Sequence, residues 1–203
     1  VFKRSYRNKK GIDKFISVIE ANKLNSLVID MKDDYGLLRF RTQNPLVSEK
    51  AKESAYAIDI DNFVKTFKEK NVYLIARIVV FKDRNLYKQK NGAYAVWDAK
   101  NNAPWLGIRD FEKIPTENDK AEQIKTVFYD EYWVDPYSEE VWEYNTAIAK
   151  ELIRRGFDEI QFDYIRFPTD GRNIRDTRYR WQDSGMDMES ALISFLSYAC
   201  KNI

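Results

Sequence analysis

The sequence contains no histidine, and this absence excludes more kinds of chemistry than any other feature of its composition. Ser-His-Asp and Cys-His catalysis need an imidazole, and so do His-bound zinc sites. Any catalysis by this chain must therefore use carboxylates, Lys, Arg, Tyr or a hard metal ion. That restriction favours chemistry by a pair of carboxylates, of which glycoside hydrolysis is the commonest case.

Other features are scarce as well. A single cysteine, Cys200, excludes an internal disulfide and a thiolate metal cage. No apolar run approaches the roughly 20 residues needed to span a bilayer, and the opening residues VFKRSYRNKK lack the apolar segment of a secretion signal. The 34 basic and 32 acidic residues are interleaved and nearly cancel, to +2, so the charge pattern does not indicate nucleic acid as a partner.

Apolar residues recur at helical spacing three times, and each time an apolar run typical of a strand follows. Helices are predicted at about 12–22, 60–67 and 138–155, and strands at about 25–31, 72–81 and up to Asp163. A fourth helix is predicted from Asp187 onward. Because the strands look apolar throughout, we predict a parallel sheet covered by helices.

A closed eight-stranded barrel and an open doubly wound sheet both fit this order of elements. A complete barrel has typically about 250 residues, and this chain has 203. We therefore predict an α/β fold of the TIM (β/α)8 type, represented by its amino-terminal part, with a first strand at or before Val1. Exposed sheet edges would then favour self-association.

The segment at about 82–133 has no strong period and is predicted as a long loop. Connections of this length are often lids or binding walls. No stretch of the sequence has the composition of a linker, so residues 1–203 are predicted to form one domain.

The motif GFDEIQFDYIRFP, residues 156–168, places a carboxylate at the end of a strand that otherwise looks buried. Chemistry in helix-covered parallel sheets lies at the carboxyl edge of the strands. Asp163 is therefore predicted as a nucleophile or base. The alternative is a structural role, in which Asp163 caps the next turn or pairs with Arg166.

Strand one ends in VIDMKDDYG, where Asp30, Lys32 and Asp33 lie close together. Such a group often forms a solvated loop. If it faces the same opening as Asp163, the two aspartates would accept hydrogen bonds from sugar hydroxyls and Lys32 would orient them. A hard cation bound by Asp30, Asp33 and Asp163 is a further alternative.

Arg77 lies inside an apolar strand that ends in Lys82 and Asp83. An unpaired Arg there would be costly, so we expect it to contact Asp30 or Asp163. Such a contact would lower the pKa of that aspartate and keep it ionised, as a nucleophile requires. A purely structural ion pair is equally consistent with the sequence.

Two tryptophans, Trp105 and Trp133, are candidates for flat platforms on which sugar rings stack, with core packing as the alternative. Asp135 precedes Pro136, which is typical of a turn, and it is also counted with the predicted substrate-binding residues.

Five of these segments together resemble a known family. They are VIDMKDDYG, RIVVFKD, APW, WVDPYSEEVWEYNTAIAKE and GFDEIQFDYIRFPTDG. The chain resembles the family named domain of unknown function 4015, which is assigned to the glycoside hydrolases and is distantly related to the α-amylase and α-galactosidase barrel superfamily. The resemblance spans most of the chain.

The resemblance implies that Asp163 ends the fourth barrel strand, where the wider superfamily has its catalytic nucleophile. It also implies that the catalytic acid comes from a later strand, which is not evident in this sequence. Residues 108–132 look longer than the family's usual connection. An extracytoplasmic location, secreted or at the cell surface, is implied as well.

These observations together predict a glycoside hydrolase that acts on a polysaccharide or oligosaccharide, with no cofactor and no metal. Asp163 is the predicted catalytic residue. The predicted substrate-binding residues are Asp30, Lys32, Asp33, Arg77, Lys82, Asp83, Trp105, Asp135 and Arg166. The alternative function is a non-catalytic glycan-binding or scaffold protein that uses the same opening.

Overall fold

A computed structural model gives the structure of residues 9–114 and 123–203. The strands, in chain order, are β1 (Ser26–Lys32), β2 (Leu37–Phe40), β3 (Lys52–Ile58), β4 (Tyr73–Val79), β5 (Trp97–Asp98), β6 (Ala103–Pro104), β7 (Ile108–Ile114), β8 (Gln123–Phe128), β9 (Glu159–Asp163) and β10 (Thr177–Arg178). The helices are α1 (Lys9–Ala21), α2 (Pro45–Lys50), α3 (Ile60–Lys68), α4 (Arg84–Lys88), α5 (Glu139–Arg154) and α6 (Met188–Asn202).

The elements with the clearest sequence periods are present in the structure. The four predicted helices correspond to α1, α3, α5 and α6, and the three predicted strands to β1, β4 and β9. The fourth helix begins after Asp187, as predicted, and Asp187 caps it by accepting a hydrogen bond from the Ser190 N–H at 2.7 Å. Asp59 caps α3 in the same way, by accepting one from the Asn62 N–H at 3.1 Å. The strand predicted at or before Val1 lies outside the described residues.

The main sheet has five strands in the order β3-β2-β1-β4-β9. Strands β1, β4 and β9 are parallel, as predicted. Strand β2, however, is antiparallel to β1, and β3 is parallel to β2. The prediction of a wholly parallel sheet is therefore wrong, because the β2–α2–β3 unit was missed: residues 37–58 form short elements rich in polar side chains and show no long apolar period.

One face of the main sheet packs against the helices. Side chains from α1, α3, α5 and α6 join the sheet in one hydrophobic cluster, in which Phe67, Ile148 and Phe195 are fully buried. On the other face Val28 and Tyr73 remain 47% and 43% exposed. The described strands thus do not close into a barrel, and the expectation that the strands are buried on both faces is wrong for β1 and the start of β4.

The segment predicted as a long loop contains several short elements. It includes α4, the strands β5 and β6, and the exposed hairpin of β7 and β8. Strand β10, from beyond β9, joins β5 and β6 in a small antiparallel sheet. Residues 115–122 of the segment lie outside the described residues.

The turn between α5 and β9 depends on Gly156. Its φ of +101° is a conformation that L side chains rarely adopt. A Cβ at this position would also lie 3.0 Å from Val64 Cγ1. Glycine therefore lets α5 end and lets the chain enter the strand that carries Asp163.

Candidate functional site

The carboxyl ends of three parallel strands bring charged side chains together. In the sheet register Asp30 of β1 is opposite Arg77 of β4, and Val79 of β4 is opposite Asp163 of β9. Side chains alternate between the faces of a strand, so Arg77 and Val79 lie on the same face. This is the face that the helices leave uncovered.

Arg77 joins two carboxylates. Its Nη1 lies 2.6 Å from Asp30 Oδ1, while its Nε and Nη2 lie 2.8 and 2.5 Å from Asp163 Oδ2. The side chains of Arg77, Asp30 and Asp163 are 25%, 43% and 40% exposed. We call these three residues the exposed trio. Both partners that the sequence suggested for Arg77 are thus confirmed as its contacts.

The surroundings of Asp163 favour its ionised form. Partial burial raises its pKa, but the Tyr164 backbone N–H, the Arg77 guanidinium and the charge of Arg166 outweigh burial and hold the pKa below its ordinary value of 3.8. The Tyr164 N–H donates to Asp163 Oδ1 at 2.7 Å. Asp163 is therefore a carboxylate that solvent reaches and that stays ionised into the acidic range.

Tyr164 adopts an unusual backbone conformation directly after Asp163. Its φ is +54°, in the left-handed region that residues other than glycine seldom occupy. Such conformations cost about 1 kcal/mol or more and cluster at functional sites. Here the conformation accompanies the hydrogen bond from the Tyr164 N–H to Asp163 and the packing of the Tyr164 ring 6.0 Å from the Trp133 ring centroid.

Lys82 contacts the Tyr164 ring and two more carboxylates, those of Glu131 and Asp34. Its Nζ lies 5.0 Å from the centroid of the Tyr164 ring, 2.9 Å from Glu131 Oε1 and 3.6 Å from Asp34 Oδ2. The Trp133 indole N–H donates to Glu131 Oε2 at 3.3 Å. Sequence reasoning missed Glu131, because it lies in a segment without a clear period, and it missed Tyr164, whose φ no sequence pattern reveals.

Arg166 lies on the loop that leaves β9. Its guanidinium carbon is 4.5 Å from the centroid of the Trp133 ring and 5.5 Å from that of Tyr164. Its Nη1 donates to the Phe167 carbonyl oxygen and to Thr169 Oγ1, both at 3.1 Å. The charge of Arg166 thus lies near Asp163, as its effect on the Asp163 pKa indicates, while its hydrogen bonds hold its own loop.

Lys32 and Asp83 form an ion pair inside the protein. Lys32 Nζ lies 2.8 Å from Asp83 Oδ2, and both side chains are 0% exposed. Lys32 also donates to the Val79 carbonyl oxygen at 2.5 Å, while Asp83 Oδ1 accepts from the Leu86 N–H at 2.8 Å. We call Lys32 and Asp83 the buried pair.

A bulge in β1 explains why Lys32 does not orient Asp30 and Asp33, as the sequence suggested. The register between β1 and β4 shifts between Asp30 and Lys32, so that Lys32 is opposite Ile78. A bulge of this kind redirects side chains, and Lys32 extends into the core beside the Tyr144 ring of α5, 5.7 Å from its centroid. The buried pair therefore has no side chain to offer a substrate in this structure.

Asp33 organises the turn between β1 and β2. Its Oδ1 accepts hydrogen bonds from the N–H groups of Tyr35 and Leu37 at 3.1 and 3.0 Å, and its Oδ2 pairs with Arg39 at 3.4 Å. Burial raises the pKa of Asp33. These bonds engage both carboxylate oxygens, and none of them involves a member of the exposed trio.

The two tryptophans predicted as platforms belong to the core. Trp105 and Trp133 are each 1% exposed, and the Trp105 indole N–H donates to the Asn173 carbonyl oxygen at 3.1 Å. Core packing, the alternative given by the sequence, describes both in this structure. Neither ring presents a face to solvent.

Asp135 is a fully buried carboxylate that joins two segments. Its Oδ1 accepts from the Tyr137 N–H at 3.0 Å, which is the turn role expected before Pro136, and its Oδ2 accepts from the Trp181 N–H at 3.2 Å. Burial raises the pKa of Asp135 to about 6. Asp135 therefore connects the start of α5 with the loop that follows β9.

Within residues 9–114 and 123–203, no three His, Cys, Asp or Glu side chains come together in a way that could hold a metal ion. None of the helices in these residues has the length and apolar character that crossing a membrane requires.

Comparison with solved structures gives relatives of this fold. A hypothetical protein from Ruminiclostridium thermocellum ATCC 27405 is 27% identical with a TM-score of 0.78, and the match covers 99% of this chain and 90% of that chain. An α-L-fucosidase, isoenzyme 2, from Paenibacillus thiaminolyticus is 12% identical with a TM-score of 0.57, over 94% of this chain and 26% of that one. A noncanonic maltogenic α-amylase, AmyB, from Thermotoga neapolitana is 16% identical with a TM-score of 0.52, over 100% and 41%.

The chain thus spans less than half the length of the fucosidase and the amylase, and at these identities the likeness concerns the α/β fold alone. No curated protein matches the sequence. A family model described as "Putative glycosyl hydrolase domain" matches residues 1–203. The chain therefore belongs to that family, domain of unknown function 4015.

Proposed function

We propose that this chain is the amino-terminal part of a (β/α)8 glycoside hydrolase barrel and that Asp163 is its catalytic nucleophile. The uncovered face of the sheet supports the first part, because the inner face of a complete barrel is filled by side chains from all its strands. One hydrophobic cluster contains residues from Ile12 to Ala199, which supports treating residues 1–203 as one domain.

The surroundings of the Asp163 carboxylate carry the proposal. The group lies at the carboxyl end of a parallel strand, is 40% exposed, and has a pKa held below 3.8 although it is partly buried. A nucleophile in glycoside hydrolysis must be ionised, reachable and rigidly oriented. The guanidinium of Arg77 and the N–H of Tyr164 supply the charge and the orientation.

In the proposed reaction Asp163 attacks the anomeric carbon, and the glycosidic oxygen leaves with a proton from a second carboxyl group. Water then hydrolyses the covalent glycosyl-enzyme, so that the anomeric configuration is retained. A retaining reaction needs the second carboxyl group about 5 Å from the nucleophile. The proposal assigns this acid to a later strand of the barrel, outside the exposed trio.

The remaining polar groups at the site would bind the substrate. Asp30 can accept hydrogen bonds from sugar hydroxyls, and Arg166 can donate them. Lys82, whose side chain is only 8% exposed, would hold Glu131 and Asp34 in place at the site. Such convergent polar groups are what fixes the orientation of a ligand in a pocket. The buried pair and Asp33 would support the site through the backbone only.

A pair of variants in the full natural protein tests the proposal. Asp163→Asn keeps the size of the side chain but removes its charge, and we expect hydrolysis of the substrate, identified from a polysaccharide panel, to fall by at least about 10³-fold. Glu159→Gln is the matched control, because Glu159 is an exposed carboxylate on the same strand. It should hydrolyse like the wild type.

Thermal unfolding of both variants should resemble that of the wild type, which would separate lost chemistry from lost folding. Turnover by Asp163→Asn at the rate of the Glu159→Gln control would contradict the assignment of Asp163.

One observation favours a second function, a non-catalytic glycan-binding protein. Both oxygens of Asp163 already accept hydrogen bonds, Oδ2 from Arg77 and Oδ1 from Tyr164. A carboxylate engaged in this way could hold a sugar hydroxyl without attacking it. If this second function is correct, the wild type binds a glycan of the panel but hydrolyses none, and Asp163→Asn weakens the binding.

A further inference from the structure

One tryptophan is placed differently from the other four. All five tryptophans lie in the described part of the chain, and Trp181 alone among them is exposed, at 42%. It lies on the loop between β10 and α6. No sequence motif distinguishes Trp181, which lies outside the five segments that carry the family resemblance.

Hydrogen bonds hold Trp181 in place through both its ring and its backbone. Its ring N–H donates to the Ala93 carbonyl oxygen at 3.1 Å, and its backbone N–H donates to Oδ2 of the fully buried Asp135 at 3.2 Å. A side chain that is already held in place loses little conformational entropy when a ligand covers it. The exposed surface of this ring is therefore preorganised for contact.

Arg180, the residue before Trp181, contacts another tryptophan, Trp97. Its Nη2 donates to the carbonyl oxygens of Gly92 and Ala93 at 2.5 and 3.0 Å, and its guanidinium carbon lies 3.8 Å from the centroid of the Trp97 ring. The cation thus covers the Trp97 ring. Trp181 remains as a single indole with apolar surface open to solvent.

The residues beside Trp181 in sequence decide which ligand suits this ring. Arg178, Gln182 and Asp183 are polar and exposed. A protein partner needs a much larger apolar patch. A single flat ring surrounded by polar groups instead matches one sugar ring, which has an apolar C–H face and hydroxyl groups at its edge.

Packed aromatic rings hold the loop that connects this indole to Asp163. The Phe167 ring lies 5.0 Å from that of Tyr179 and 5.4 Å from that of Tyr137. Phe167 follows Asp163 by four residues and Tyr179 precedes Trp181 by two. The loop therefore carries Trp181 in a fixed relation to the carboxyl end of β9.

We infer that Trp181 is a platform on which one ring of a glycan chain stacks. The inference rests on the proposed function for the nature of the ligand. The platform would increase affinity for polysaccharides, because one sugar ring would cover the exposed face of the indole.

Affinity gel electrophoresis with soluble polysaccharides tests the inference. All variants are made in the full natural protein that carries Asp163→Asn, so that the polysaccharide is not hydrolysed during the measurement. In this background Trp181→Leu should lower the association constant about tenfold, because it keeps apolar volume but loses the ring face. Trp181→Phe keeps a ring, and its association constant should stay within about threefold of that of Asp163→Asn alone. Phe111→Ala removes an exposed ring from the β7–β8 hairpin and should have no effect.

The outcomes separate this inference from the proposed function. Equal binding by the Trp181→Leu and Trp181→Phe variants would overturn the platform, whether or not Asp163→Asn abolishes hydrolysis. Failure of the parent to bind any polysaccharide of the panel would overturn it too. Continued hydrolysis by Asp163→Asn, together with weaker binding by Trp181→Leu, would contradict only the assignment of Asp163.

Discussion

The buried pair and the exposed trio each combine aspartate with a basic side chain, and each takes one residue from β1, but their exposure to solvent differs completely. Asp30 and Lys32 are two residues apart on β1, where a regular strand would place them on one face. The bulge between them directs Lys32 into the core and leaves Asp30 with Arg77 on the uncovered face. A local irregularity thus decides which charges hold the fold and which remain available for chemistry.

The energetic consequences of the two arrangements differ as well. In a buried ion pair, each charge has lost its contact with water, and only the opposite charge and the hydrogen bonds offset this cost. Removing one residue of the pair therefore leaves an uncompensated buried charge. An exposed ion pair is screened by water and contributes about 0 to 1 kcal/mol to stability. The buried pair should therefore matter for folding and the exposed trio for protonation and reactivity.

The largest expected effect comes from breaking the buried pair. Lys32→Met leaves the buried Asp83 without its charged partner and should lower the free energy of unfolding by about 3–5 kcal/mol, measured by denaturant titration. The double variant Lys32→Met/Asp83→Asn should recover part of this loss, because Asn keeps an oxygen for the Leu86 N–H. A loss below about 1 kcal/mol in the single variant would mean that burial does not distinguish the pair from the trio.

An intermediate effect is expected at Asp135, which is as buried as Asp83. Backbone N–H groups donate to both of its oxygens, whereas Asp83 has Lys32 beside one oxygen. Its folded-state pKa of about 6 lies above the ordinary 3.8, so the folded state binds a proton more tightly than the unfolded state does. Wild type should therefore lose stability relative to Asp135→Asn as the pH rises from about 4 to 6, by on the order of 3 kcal/mol.

Chemical denaturation at a series of pH values measures this difference. Asp135→Asn also removes an oxygen that accepts a hydrogen bond from the Trp181 N–H. This loss changes the stability of the variant by the same amount at every pH. A difference between the two proteins that stays constant from pH 4 to pH 7 would contradict the raised pKa.

The smallest effect on stability is expected from the exposed trio. Arg77→Met should change the free energy of unfolding at pH 7 by less than about 1 kcal/mol. It should nevertheless raise the pKa of Asp163, because the guanidinium no longer stabilises the carboxylate. The acidic limb of the pH profile of kcat/KM should then move to higher pH, and an unchanged limb would show that Arg77 does not control this ionisation.

The sequence predicted those parts of the fold that repeat over many residues. Helices such as α3 and α5 and strands such as β4 have long apolar periods, and the ends of parallel strands share an edge, so Asp30, Arg77 and Asp163 could be placed together. The β2–α2–β3 unit could not be predicted in this way. Its elements are short and partly polar, and tertiary contacts determine them.

The site itself was predictable only in part. Which of the charges in VIDMKDD are buried depends on one bulge, and whether Trp105, Trp133 or Trp181 is exposed depends on packing between distant segments. Likewise, Glu131 meets Lys82 only because the chain returns after the β7–β8 hairpin. Side-chain types therefore indicated the chemistry, while backbone irregularities decided which side chains carry it.

The most direct test of the account is to trap the covalent intermediate on Asp163. A 2-deoxy-2-fluoro glycosyl fluoride of the sugar found in the polysaccharide screen would serve as the reagent, because fluoride leaves without help from an acid. Peptide mass spectrometry of the treated full natural protein should then find the sugar attached to Asp163, and the Asp163→Asn variant should remain unlabelled. A sugar attached to Asp30, Glu131 or any other carboxylate would contradict the central claim that the exposed trio holds the nucleophile at Asp163.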